Sequence, residues 1–272
     1  MAQERNSLHN DRSSERSLVI SITFWLLFAV SLSHAQSPLR IVNAASIRAE
    51  QPVAAGSWVS AFNENIGFPN VSTIDNVTIP LPKTLGGVTV SVDGIPAPLN
   101  YVSFAQINFL IPYGVAPGLR PIVVNTSTNT YSGTVRIVSG APGLFTKDTN
   151  TPPRGAILNQ DGSENSSTRL AIRGQAISIY ATGSGSLDRS VADGEATPRS
   201  PLINTISKPQ VFIGGVEVPA ESVEFSGLAP DWVGLWQINV RIPALSFLSG
   251  RLPVQVFMNG VDSNEVTVYV AQ

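Results

Sequence analysis

The chain has 272 residues, 43% of them apolar and 13% charged, with a formal net charge of −2. Such a chain can bury a core of one large or two ordinary domains and does not read as disordered. It offers no basic footprint for nucleic acid or an anionic membrane surface, and with no cysteine it can form neither disulfides nor thiolate sites.

Arg5, Arg12 and Arg16 precede the apolar run Leu18 to Val30, and Ser33 and Ala35 place small residues on either side of His34. This predicts a secretory signal peptide over residues 1–35, cleaved near Ala35. The run falls short of the ~20 residues that span a bilayer, so no membrane insertion of the mature chain is expected. Both histidines, His9 and His34, leave with the leader. What remains has no imidazole and no thiol, which excludes a Ser-His-Asp triad, a Cys-His pair, a structural zinc and a histidine pH switch. The expected address is secreted, periplasmic or cell-surface.

The first module is expected over residues 36–139. Leu39 to Val42 reads as a short strand, and Gly56-Ser57-Trp58-Val59-Ser60-Ala61-Phe62 as a second one rich in β-formers. Residues 63–86 are loop-like, with a short strand expected at Val77-Thr78-Ile79. Val88, Val90 and Val92 alternate into a hairpin that turns at Asp93-Gly94, where positive φ is needed, and returns through Leu99 to Val102. Gln106-Ile107-Asn108-Phe109-Leu110-Ile111-Pro112 follows; its period of two buries Ile107, Phe109 and Ile111 and turns both amides to the other face. Pro121 to Val124 and Thr134 to Val138 complete an all-β unit.

Gly140-Ala141-Pro142-Gly143 is the expected linker, and residues 140–272 repeat the order. Gly174 to Tyr180 answers Gly56 to Phe62, Val211 to Gly215 answers Val90 to Gly94, and Gln237-Ile238-Asn239-Val240-Arg241-Ile242-Pro243 answers the amide strand. The predicted fold class is all-β, two tandem immunoglobulin-like β-sandwiches of about seven strands each after a signal peptide.

Asn43-Ala44-Ala45-Ser46, Leu85-Gly86-Gly87-Val88, Asp93 to Pro98, Pro112-Tyr113-Gly114, Ala141 to Thr146, Asn159-Gln160-Asp161-Gly162 and Ala181-Thr182-Gly183 add a resemblance. With the Gln-Ile-Asn strand, they resemble a C-terminal domain family that recurs in secreted proteins of Acidobacteria and is similar to tandem IPT/TIG immunoglobulin-like domains. The resemblance runs from about Ile41 to Val270. It implies an extracellular β-module; the family has no assigned activity, so it assigns no site residues.

The candidate sites are few. Gln106/Asn108 and Gln237/Asn239 could line a polar groove, or could hydrogen-bond the backbone of a covering loop. Asp188, Asp193 and Glu195 in the Gly183–Pro201 loop are a weak calcium candidate, since Ca²⁺ takes oxygen ligands. Trp232 and Trp236, with Tyr269, could stack a sugar, as could Trp58 elsewhere; a sandwich Trp equally serves as a core plug. Asn70, Asn76, Asn125 and Asn165 open Asn-X-Ser/Thr sequons. A glycoside hydrolase needs only two carboxylates ~5–9 Å apart, but the acids are scattered over loops, and Lys83, Lys147 and Lys208 sit in no nucleophile motif. The reading is therefore no enzyme and no cofactor. It is a module for structural, adhesive or protein contact, with an unknown protein or glycan at the cell surface as partner. A carbohydrate-binding module is the alternative and a carboxylate-based glycoside hydrolase the second. The inter-domain groove and the strand edges are the expected contact surfaces.

Overall fold

The computed structural model describes residues 39–272; the leader expected over residues 1–35 lies outside them. The described residues are all-β, apart from one 3₁₀ turn at Ala220–Ser222. No helix among them is long and apolar enough to cross a membrane.

Two hydrophobic cores account for the packing. The first lies between a sheet ordered Leu39–Asn43, Trp58–Asn63, Ile107–Leu110, Leu99–Val102, Ile74–Asp75 and a second ordered Val53–Ala54, Thr130–Val138, Gly118–Asn125, Val88–Val92, Thr84–Leu85. The second core lies between Gly143–Leu144, Ala176–Thr182, Trp236–Arg241, Val223–Leu228 and Val216–Glu217, Gln210–Ile213, Gly250–Met258, Val261–Asp262, with Val266–Val270 beside Gly250–Met258. Each sheet turns one face inward, as the alternation demands: Val88, Val90 and Val92 are buried while Thr89 and Ser91 are half-buried. The short strand expected at Val77 to Ile79 is instead Ile74–Asp75, and Val77 stands 90% exposed. Its Val-Thr-Ile composition was misleading because Asn76 and Thr78 close a local turn, Thr78 Oγ1 donating to Asn76 Oδ1 at 2.6 Å.

The duplication holds to the residue. Ser60 faces Asn108 across the first amide strand, and Ser178 faces Asn239 across the second. Both amide strands also pair with a bulged neighbour. Register slips between Leu99 and Tyr101 opposite Phe109/Asn108, and between Val223 and Phe225 opposite Val240/Asn239. A bulge puts an extra residue on one strand and re-aims it. In the first sandwich that residue is Asn100.

The described residues 39–272 fall in one compact unit, so the sandwiches are docked rather than strung. Leu81 and Leu110 pack on Val233 of the second sandwich, with Trp58 and Tyr113 against them. Polar contacts fix the angle. The Trp58 backbone N–H donates to Thr182 Oγ1 at 2.7 Å, its indole N–H to the Val233 carbonyl at 2.9 Å, and the Leu81 N–H to the Gly194 carbonyl at 2.9 Å. The linker is clamped as well: Ala141 N–H donates to the Gly183 carbonyl at 2.9 Å, and Asn43 Nδ2 donates to the Ala141 carbonyl at 3.2 Å. Asn43 is buried and its Oδ1 caps the Ala45 and Ser46 amides, so the Asn-Ala-Ala-Ser and Ala-Pro-Gly motifs meet at this junction.

Candidate functional site

The docking leaves a groove of about 820 Å³ between the sandwiches. The first sandwich contributes Trp58, Ser60, Gln106, Asn108 and the bulged Asn100; the second contributes Phe145, Tyr180, Trp232 and Leu235. Asp, Glu, Lys and Arg are absent from its lining among the described residues. Trp232 is 62% exposed yet rigidly held. Its carbonyl accepts the Thr197 N–H at 2.9 Å and the Thr197 hydroxyl at 2.8 Å, and Asp231 beside it holds Arg199 through both carboxylate oxygens at 2.9 Å. An exposed aromatic on a pinned loop keeps its ring available at little entropic cost.

The amides form a ladder along the first amide strand. Gln106 Nε2 donates to Asn108 Oδ1 at 2.6 Å and to Ser60 Oγ at 3.1 Å, and Ser60 Oγ donates to Asn108 Oδ1 at 2.8 Å. Asn108 Oδ1 thus accepts twice, while Asn108 Nδ2 and Gln106 Oε1 take no partner among the described residues. Among the described residues these amides bond no backbone group of a covering loop: they are half-buried, bond Ser60 and one another, and line the groove. The second copy repeats the internal bond, Gln237 Nε2 to Asn239 Oδ1 at 2.8 Å, outside the groove lining.

The aromatic pairing is corrected. Trp236 is fully buried, its indole N–H donating to Ser226 Oγ at 3.0 Å, so it belongs to the second core and not to a sugar platform. Its phase shows why: Trp236, Ile238 and Val240 are the inward positions of one strand. Tyr269 lies on Val266–Val270, away from the groove. The aromatics that do converge with Trp232 are Trp58, Phe145 and Tyr180, drawn from distant parts of the chain. Burial raises the Tyr180 phenol above its ordinary value, so it enters as a neutral group.

The calcium candidate is also corrected. Among the described residues no group of three or more acidic side chains is placed to hold an ion. Asp188 is taken by the Asn204 side-chain amide at 2.8 Å, which with the Asn204 N–H and Arg189 holds its carboxyl below the usual range. Asp193 Oδ1 reaches across to accept the Tyr113 N–H at 2.8 Å and serves the docking. Asn165, one of the sequon residues, is fully buried, with its amide on Asn159 and Tyr269.

No family model matches the chain. No curated protein matches it. Solved structures do. SGBP-B of the mixed-linkage glucan utilization locus of Bacteroides ovatus, in complex with a mixed-linkage heptasaccharide, is 15% identical over 83% of this chain and 44% of its own, with a TM-score of 0.32. SGBP-B of a complex xyloglucan utilization locus of Bacteroides uniformis is 12% identical over 87% and 49%, with a TM-score of 0.27. The I9–I11 tandem of titin is 10% identical over 86% and 66%, with a TM-score of 0.23. The chain thus spans less than half the length of either SGBP-B. At such scores these likenesses carry nothing about ligands.

A second cleft, of about 660 Å³, is lined by Tyr113, Ile137, Leu187 and Arg189 among others. Neither it nor the groove is lined by a carboxylate among the described residues, so the acid pair of a glycoside hydrolase is in neither of these two cavities. Tyr113 is half-buried at this junction, with its hydroxyl buried and without a partner among the described residues. Burial pushes its phenol well above the ordinary value near 10, with the Asp193 carboxylate adding to the effect. The folded state therefore holds that proton more tightly than the unfolded chain. The linked stability is present below pH ~10 and is lost as pH rises beyond it. Tyr113→Phe is expected to leave neutral-pH stability within about 1 kcal/mol and to blunt the alkaline loss, measured by denaturant midpoints from pH 7 to 11.

Proposed function

We propose that this chain is an exported, non-enzymatic contact module of the cell surface, related to the C-terminal domain family of secreted acidobacterial proteins. Its leader would be removed near Ala35, with sandwiches over residues 36–139 and 140–272. The observation that carries the reading is the groove: two sandwiches clamped at one angle hold Trp232, Trp58 and the Gln106/Asn108 ladder together in a recess with no group able to shuttle protons at neutral pH. Such a recess binds; it has no means to cut.

Retention on cell envelopes tests it. The purified, labelled chain should be retained by envelopes of its native host, and Trp232→Ala should reduce that retention at least tenfold without changing the melting temperature. Retention indifferent to Trp232, or none at all, would remove the groove as the contact surface.

A further inference from the structure

We infer that the occupant of the groove is a neutral oligosaccharide chain, an inference that rests on the groove being the contact surface. Charge decides the class first. With no Asp, Glu, Lys, Arg or His in the lining, no charged side chain there compensates a phosphate, a carboxylate or an ammonium group, and desolvating an unpaired charge is costly. A ligand of hydroxyls and C–H faces meets no such penalty.

The polar groups then decide between neutral ligands. Because Asn108 Oδ1 is consumed twice, the ladder shows the groove a donor, Asn108 Nδ2, beside an acceptor, Gln106 Oε1. Neighbouring hydroxyls on a sugar ring, each both donor and acceptor, satisfy that pair. An extended peptide would draw its affinity from ladder bonds to an open strand edge. The floor strand Ile107–Leu110 has none to give, since Trp58–Asn63 and Leu99–Val102 pair with it on both sides. The bulged Asn100 adds a further neutral amide to the lining.

The walls fit the same class. Trp232, Trp58, Phe145 and Tyr180 supply ring faces from both sandwiches, and sugar rings present C–H faces between their hydroxyls. The volume, about 820 Å³, falls within the ~300–1,000 Å³ typical of small-molecule sites and suits a few linked rings.

The test uses the full purified chain and the Trp232→Ala and Asn108→Ala variants. Host envelopes are treated with periodate, which cleaves vicinal diols, or with proteinase, and Trp232-dependent retention is measured. Calorimetry with cellohexaose, xylohexaose, mannohexaose, maltohexaose and a charged oligogalacturonate then ranks the sugars. Expected are loss of retention after periodate but not proteinase, a neutral hexaose that binds with at least tenfold weakening in Trp232→Ala and severalfold in Asn108→Ala, and no comparable binding of oligogalacturonate. Trp232-dependent retention that survives periodate and is lost to proteinase would overturn the sugar while leaving the groove as the contact surface. Preference for oligogalacturonate would overturn neutrality. Retention that ignores Trp232 would sink both readings.

Discussion

Trp236→Ala is expected to cost about 3–5 kcal/mol, whereas Trp232→Ala, four positions earlier, should stay within about 0.5 kcal/mol. Trp236 is fully buried, and truncation would empty the largest side-chain volume of the second core. It would also take from Ser226 Oγ the indole proton it now accepts, leaving Thr205 Oγ1, 2.7 Å away, as its partner in a buried network. Lost contacts and a lost buried hydrogen bond act in the same direction. For a unit of this size the penalty corresponds to a fall in melting temperature of roughly 6–20 °C. Thermal and guanidinium unfolding of the two variants side by side is the measurement. Similar losses at both positions would mean that Trp232 is packed, and would take the groove's aromatic wall away.

That pair also shows what the sequence could and could not say. Trp236 is in phase with Ile238 and Val240, so its burial was readable once the strand was known to begin at Trp236. Duplication was legible because the amide phrase repeats, and the register Ser60/Asn108 and Ser178/Asn239 follows from it. The bulges opposite those strands left no mark, since a bulge depends on how two strands are offset and not on either strand's composition. The groove was legible only as a location. Its lining comes from residues 44 to 235, and only the docking angle makes Trp58 a neighbour of Trp232. Asp193 read as an ion ligand because its partner, the Tyr113 N–H, belongs to the other sandwich.

The docking angle itself should hang on Gly183. It sits at φ +84°, a conformation that costs an L-residue roughly 1–2 kcal/mol, and a Cβ built there would lie 1.8 Å from the Ala141 carbonyl oxygen. That oxygen is backbone and already accepts Asn43 Nδ2, so relief means moving the linker away from the strand Ala176–Thr182. Overpacking of this kind adds about 1–3 kcal/mol, and the Ala141 N–H bond to the Gly183 carbonyl is strained by the same shift. Gly183→Ala is therefore expected to cost about 2–5 kcal/mol. Gly87 at φ +77°, with nothing within 4 Å, isolates the conformational part, and Gly87→Ala should cost only about 1–2 kcal/mol. The two also part on binding. Thr182, next to Gly183, receives the Trp58 N–H, so moving this junction disturbs one wall of the groove, and Gly183→Ala should weaken envelope retention severalfold at temperatures where it remains folded. Gly87→Ala should not. Equal penalties at the two glycines, or a Gly183→Ala protein that binds normally, would show that the linker yields freely and that the sandwiches are not held at a single angle.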